Sequence, residues 1–244
     1  THFTEELSKL GMEVSRESVR RLRREAGIAP KRKRKVRKHH RRRPRKTSEG
    51  LMVLWDGSPH RWFGKDVDPC CLMAAMDDAT GKLLAALFCE SECSWAYLEL
   101  IRRIVRDHGV PASIYQDKHT ALKRSDEFWS LEEELAGRRE PTQVGRALED
   151  MGIEAIFANS PQAKGRVEKL FETLQDRLVA QMEHLGIKDI AGANAYLEQT
   201  YLQEFNKRFA VPAESEHKWR RLKAGVDLEK ICSFCYAASV ANDN

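Results

Sequence analysis

The chain has 244 residues, 41% hydrophobic and 32% charged, enough for one sizeable core with smaller appendages. No apolar run approaches the roughly 18 residues of a spanning helix, which excludes a helical membrane anchor, and no leader pattern is read ahead of the first helix. The net charge of +5 conceals an asymmetry: residues 31–46, KRKRKVRKHHRRRPRK, hold twelve Lys/Arg and no acid, and removing that +12 from +5 leaves −7 for the rest.

In chain order, Thr4 to Leu10 reads as a short helix, residues 11–14 as a turn, and Ser15 as the N-cap of a second helix from Arg16 to Ala26. Val19, Leu22 and Ala26 recur at helical spacing and are expected to face a small core, with Arg20, Arg21, Arg23 and Arg24 around them. Residues 1–28 therefore read as a helix-turn-helix DNA-binding fragment, the alternative being a basic surface hairpin. The basic linker, 29–48, comes next. A block of like charge cannot offset its ordering entropy by burial, and its natural partner is a polyanion whose counterions it releases, through Lys31, Arg32, Lys33 and Arg34 among others. A localisation or solubilising tail is the blander reading of the same block.

The core, residues 49–212, opens with an apolar strand from Leu51 to Trp55 that is expected to end at Asp56, where Gly57-Ser58-Pro59 reads as a break. Cys70–Met76 and Leu83–Cys89 read as two more strands, joined by Asp77-Asp78-Ala79-Thr80-Gly81 and hence antiparallel; Asp78 is expected to open and cap that turn. Ser94–His108 reads as a helix, Ala112–Gln116 as a fourth strand with Asp117 directly after it, Asp126–Arg139 as a polar insertion, Thr142–Met151 as a helix and Ile153–Ala158 as a fifth strand. Asn159-Ser160-Pro161 then opens a long amphipathic helix, with Ser160 as N-cap and Pro161 at its first position. The order predicts a mixed five-stranded α/β sheet with helices on both faces.

Three acids fall at the ends of these elements: Asp56, Asp117 and Glu168, the last placed two turns into the helix. With the fourth strand beside the first, Asp56 and Asp117 are neighbours, and the helix can present Glu168 to both. Crowded carboxylates repel unless a cation joins them, and a pair of magnesium ions would supply phosphoryl-transfer chemistry. Each acid also has a plain reading: Asp56 as a turn residue, Asp117 as a loop ion-pair partner, Glu168 as a surface charge beside Lys164. Lys118, His119, Asn159, Gln162, Lys164 and Arg166 surround the three and suit a DNA strand lying across them. The six cysteines suit a reducing compartment. Cys232 and Cys235 form a lone C-x-x-C without a second pair, a weak signal for zinc.

WDGS around Asp56, MDDATGK after the second strand, YQDKH around Asp117 and NSPQAKGRVEKLFETLQDRL around Glu168 together resemble the integrase core of bacterial insertion-sequence transposases. The likeness is strongest to the ISNCY-like group of the retroviral-integrase superfamily, over about residues 47–212. The resemblance implies an RNase H-like fold, a D-D-E triad carried onto Asp56, Asp117 and Glu168, and two Mg²⁺ or Mn²⁺ ions. It also implies cleavage and strand transfer on double-stranded DNA by a homo-oligomer in the bacterial cytoplasm, at the nucleoid. Asp117 and Glu168 are 51 positions apart, longer than the gap common in the superfamily, and an insertion over residues 123–143 accounts for the excess. Residues 213–244 read as the start of a truncated, β-rich C-terminal domain. With the start at Thr1, that gives the expectation of a piece of a longer chain. Two rival functions stand beside this one: an inactive DNA-binding relic, or an RNase H-like nuclease that hydrolyses without joining strands.

Overall fold

The computed structural model describes residues 2–28, 43–117, 122, 134–135, 140–157 and 165–236. Its elements are α1 (His2–Lys9), α2 (Arg16–Glu25), β1 (Val53–His60), β2 (Cys70–Asp77), β3 (Leu83–Cys89), α3 (Ser94–Asp107), β4 (Ser113–Gln116), α4 (Gln143–Asp150), β5 (Glu154–Phe157) and α5 (Gly165–His184). Beyond these come α6 (Ile190–Tyr196), a π-helical turn (Leu197–Tyr201), α7 (Leu202–Phe209) and α8 (Leu228–Ile231).

Apolar strands flanked by turn signals pair as the sequence predicts. The sheet runs in the order β3-β2-β1-β4-β5. β1 is antiparallel to β2 and β2 to β3, while β4 lies parallel to β1 and β5 parallel to β4. This is the RNase H-like arrangement: β1, β3, β4 and β5 all point the same way, so the chain leaves each of them at one common edge. β2 and β3 are buried along their whole length because both faces are covered, which is why they read as continuous apolar runs.

Alternation sorts the core into two layers. On one face Val53, Trp55, Met73, Leu87 and Ile114 pack with Tyr97, Leu98, Ile101 and Ile104 of α3 and with Val144 and Leu148 of α4. On the other Met52, Leu54, Leu72 and Phe88 pack with Val167, Leu170, Phe171, Leu174 and Leu178 of α5 and with Leu197, Tyr201 and Phe205.

β1 corrects one expectation. It does not stop at Asp56 but runs on through Gly57, Ser58 and Pro59 to His60, paired with β2 throughout. β4 ends at Gln116, so beyond Asp56 β1 is locally an edge strand, where proline is tolerated. The turn after β2 is a second correction. Asp77, not Asp78, organises it: one oxygen accepts from the Thr80 N–H and hydroxyl, both at 2.8 Å, and the other from the Gly50 N–H at 2.9 Å. Asp78 is fully buried and ties distant segments together. It accepts from Arg43 at 2.6 Å, from the Lys46 N–H at 2.8 Å, and from Arg166 on α5.

The free edge of β3 is closed by side chains. Asn206 returns both its groups to Leu83, at 2.7 and 2.8 Å, and Asn194 does the same to Phe88, at 2.7 and 3.0 Å. The π-helical turn lies between the two asparagines.

The β-rich character expected of residues 213–244 reduces, among the described residues, to two isolated bridges, Ser48 with Ser215 and Val110 with Arg220, and the short helix α8. This segment is strapped to the core. The Arg220 guanidinium bonds the carbonyls of Pro111 and Gly152, Arg146 bonds those of Ile231 and Ser233, and Ile231 is buried. Gly109, at φ 109°, has to be glycine here, because a Cβ would lie 2.8 Å from the Arg220 carbonyl oxygen.

The N-terminal pair forms with Ser15 as N-cap, accepting from the Ser18 N–H. Val19 is buried but Leu22 is 54% exposed, so the expected apolar stripe holds at one position and fails at the next. Glu5 of α1 pairs with Arg177 of α5 and Arg208 of α7. The polar insertion expected over 126–139 and the helix start at Ser160-Pro161 lie outside the described residues, apart from residues 134–135.

Candidate functional site

Parallel pairing sets Val53 against Ile114 and Leu54 against Tyr115. The pairing stops there; continued by two steps, the same register would set Trp55 against Gln116 and Asp56 against Asp117. A side-chain bond joins the strands one residue further on: the Trp55 indole N–H donates to Gln116 Oε1 at 3.0 Å, buried. Alternation puts Asp56 on the face of Leu54, and Asp117 on the face of Tyr115, which is the α5 side for both. Both acids are half-buried.

The same edge holds groups that sequence reasoning missed. Glu92 lies between β3 and α3, at the same end of the sheet, and reaches the Trp55–Gly57 face of β1. Its carboxylate occupies the space over Gly57, where a Cβ would stand 2.5 Å from an Oε atom. The Tyr97 hydroxyl, one turn into α3, donates to Glu92 Oε1. The Tyr97 ring packs on Trp55 with centroids 5.1 Å apart. Burial pushes the Tyr97 phenol well above its ordinary pKa, helped by the charges of Glu92, Asp56 and Asp117, so the hydroxyl keeps its proton. Three carboxylates thus bear on one phenol. The available signal was positional: E-S-E between the third strand and the next helix lies at the edge that also receives Asp56 and Asp117.

The start of the helix that carries Glu168, residues 158–164, lies outside the described residues. Glu168 sits in the first turn of described α5 and is exposed. Arg166 is anchored to Asp78 and to the Arg43 carbonyl, and Gln175 donates to Ser58 Oγ at 3.3 Å. These two contacts fix the helix on the sheet with the Glu168 side outward. Among the described residues no group of three or more His, Cys, Asp or Glu could hold a metal ion. Asp56 on β1 and Asp117 directly after β4 lie on neighbouring parallel strands, and Glu168 lies on α5, which packs on the same face of the sheet.

Of the residues expected on DNA, Arg20, Arg21 and Arg24 are exposed on α2 and Arg23 is half-exposed. Arg20 and Arg21 lie within 4 Å of Glu17 and Glu25, respectively. Arg166 holds Asp78. Lys31, Arg32, Lys33, Arg34, Lys118, His119, Asn159, Gln162 and Lys164 lie outside the described residues. Cys235 is exposed and Cys232 half-buried. A cavity of about 510 Å³ lies apart from the acids, lined by Glu5, Arg177, Tyr201, Phe205, Arg208 and Phe209. No described helix is long and apolar enough to cross a membrane.

An α/β sheet with two aspartates facing one another at its strand-end edge defines a candidate acidic phosphoryl-transfer site. By sequence the chain is similar to two proteins named as transposases. It is 39% identical over 229 residues to a Sinorhizobium fredii protein named "Putative transposase y4bF", covering 93% of this chain and 48% of that one. It is 37% identical over 173 residues to the transposase for insertion sequence IS1202 of Streptococcus pneumoniae, covering 70% of this chain and 36% of that one. The chain thus spans about half the length of the first relative and about a third of the second. No family model matches. Two solved structures are similar at 13% identity. One is the simian T-cell lymphotropic virus intasome with the PP2A regulatory subunit B56γ, with a TM-score of 0.48 over 88% of this chain and 64% of that one. The other is the HTLV-2 integrase catalytic core with magnesium, with a TM-score of 0.44 over 76% of this chain and 98% of that one.

Proposed function

We propose that this chain carries the catalytic core of a DNA transposase, which cuts and rejoins phosphodiesters at the edge bearing Asp56 and Asp117. What supports the proposal is the parallel β1–β4 pairing at Val53–Ile114 and Leu54–Tyr115, with Asp56 two residues beyond on β1 and Asp117 two beyond on the β4 side, in a chain similar to a transposase over 93% of its length.

The acids fit a divalent cation. Two half-buried carboxylates on neighbouring strands repel, and their hard oxygens, completed by phosphate oxygens and water, suit magnesium or manganese. A cation held by Asp56 and Asp117 would activate water or a 3′-hydroxyl and neutralise charge on the phosphodiester. Glu168 is assigned as the third acid, and with it a second ion, on the motif Gly165-Arg166-Val167-Glu168 alone.

The chain's own groups do the rest. The Trp55–Gln116 bond holds the strands that carry the acids, so their spacing is set before DNA arrives. Arg20, Arg21, Arg23 and Arg24 with Lys31, Arg32, Lys33 and Arg34 bind phosphates along the duplex. Lys118 and His119, which follow Asp117 in sequence, and Asn159, Gln162 and Lys164, which precede Glu168, are assigned to the strand to be cut. A homo-oligomer on DNA is expected, because two transposon ends have to be processed together.

The test uses the whole chain with labelled element ends and Mg²⁺ or Mn²⁺. Nicked and joined products should both form. Asp56→Asn and Asp117→Asn should abolish them while leaving DNA affinity within about twofold, because phosphate contacts dominate binding; Glu168→Gln should do the same. Hydrolysis without joining would point to a nuclease, and binding without chemistry to a DNA-binding relic. Nicking by Asp56→Asn at the wild-type rate would sink the acid assignment.

A further inference from the structure

Glu92, Tyr97, Trp55 and Gln116 form one continuous strut beneath the two aspartates. Glu92 accepts from the Tyr97 hydroxyl, Tyr97 packs on Trp55 at 5.1 Å, and Trp55 donates to Gln116 at 3.0 Å. Trp55 immediately precedes Asp56 and Gln116 immediately precedes Asp117. Each aspartate backbone is therefore seated on a residue of the strut. Gly57, on the other side of Asp56, lacks the side chain that would displace Glu92: its Cβ would lie 2.5 Å from one carboxylate oxygen and 3.1 Å from the Cys71 sulfur. Trp55, Tyr97 and Gln116 are 1%, 0% and 2% exposed, and Glu92, at the outer end of the strut, is half-buried.

We propose that Glu92 is a positioning residue of the acidic site: acting through Tyr97 and the Trp55–Gln116 bond, it fixes the spacing of Asp56 and Asp117 and so sets the site's affinity for a divalent cation. The proposal rests on the acid-pair reading above. Its physical basis is that groups behind metal ligands hold them in geometry, and removing such a group typically weakens metal binding about 10- to 100-fold. Gly57 is part of the device, since any larger residue would push Glu92 off the Tyr97 hydroxyl.

The experiment is calorimetric titration of the intact, DNA-free chain with Mn²⁺ alone, on wild type, Glu92→Gln, Tyr97→Phe, their double variant and Asp56→Asn, with thermal unfolding of each as a folding control. Glu92→Gln keeps the shape and loses the charge; Tyr97→Phe keeps the ring and loses the donated bond. Both should bind Mn²⁺ about 10- to 100-fold more weakly with a near wild-type Tm, and the double variant should be little worse than either. Asp56→Asn should lose binding altogether. If Asp56→Asn loses binding while Glu92→Gln binds as wild type, the positioning role is overturned and the acid pair stands. If Asp56→Asn itself binds as wild type, both fall. Should Tyr97→Phe fail to fold, Glu92→Gln alone decides.

Discussion

The Trp55 indole donates a 3.0 Å hydrogen bond to Gln116 Oε1, joining β1 to β4 one residue ahead of each candidate catalytic aspartate. It is a buried side-chain bond across a parallel pair that is otherwise short, with register only at Val53–Ile114 and Leu54–Tyr115. Gln116→Leu would leave a buried indole N–H without its acceptor, at a loss of about 1–3 kcal/mol. Urea unfolding should show that loss, and DNA nicking should fall by more than the stability change explains. Wild-type stability in this variant would mean that the bond does not hold the two strands.

Asp78 supports a prediction with a pH signature. Burial draws its carboxyl pKa upward, but the bonds from Arg43, the Lys46 N–H and Arg166 outweigh burial and hold it below the ordinary aspartate value. A depressed folded-state pKa contributes stability that is fully present above the unfolded value of about 3.9 and is lost as pH falls through the lower folded value. Asp78→Asn should therefore destabilise the chain at pH 7 by about 3 kcal/mol, the loss typical of breaking a buried ion pair. The gap to wild type should narrow below pH 4, read from urea midpoints across pH 7 to 3. A gap constant with pH would show that the charge is not what matters.

The asparagine clamps on β3 are testable separately. Asn194 and Asn206 each satisfy a backbone donor and acceptor that an edge strand would otherwise expose. Either change to alanine should cost about 1–3 kcal/mol. The double variant should also scatter light on standing, since an uncovered β3 offers a template for strand pairing. A double variant that stays clear at high concentration would mean that packing by α6 and α7 closes the edge unaided.

Salt dependence isolates the basic linker. Replacing Lys31, Arg32, Lys33 and Arg34 with alanine should lower the slope of log K against log salt by up to about 3.6, at roughly 0.9 per phosphate contact. Fluorescence anisotropy on duplex DNA, with salt varied from about 50 to about 300 mM, reads this directly. An unchanged slope would move the phosphate contacts elsewhere, to α2 or beside the acids.

The strand order was legible because each strand is a short apolar run between turn signals. Asp56 and Asp117 were legible because parallel strands end at a common edge. The features that stayed hidden depended on partners distant in sequence. Gly57-Ser58-Pro59 reads as a break, yet it continues β1, since nothing in the local sequence shows that β4 stops short and leaves that flank free. Asp77 and Asp78 look interchangeable in sequence. They divide into a turn organiser and a three-way anchor only because Gly50 and Thr80 meet one while Arg43 and Arg166 meet the other. Glu92 was invisible because its role comes from the missing side chain at Gly57 and from Tyr97, five residues on. The orientation of Glu168 depends on where Arg166 and Gln175 dock, which helical periodicity alone does not fix.

Asp78 has a mechanical consequence. Arg43 stands at the body end of the lysine- and arginine-rich tether, and Arg166 stands two residues ahead of Glu168; a single carboxylate grips both. A pull on residues 43–46 is thus borne at the same knot that moors the first described turn of α5. Loading one loads the other, so a force on the segment at Arg43 reaches the turn of α5 that carries Glu168.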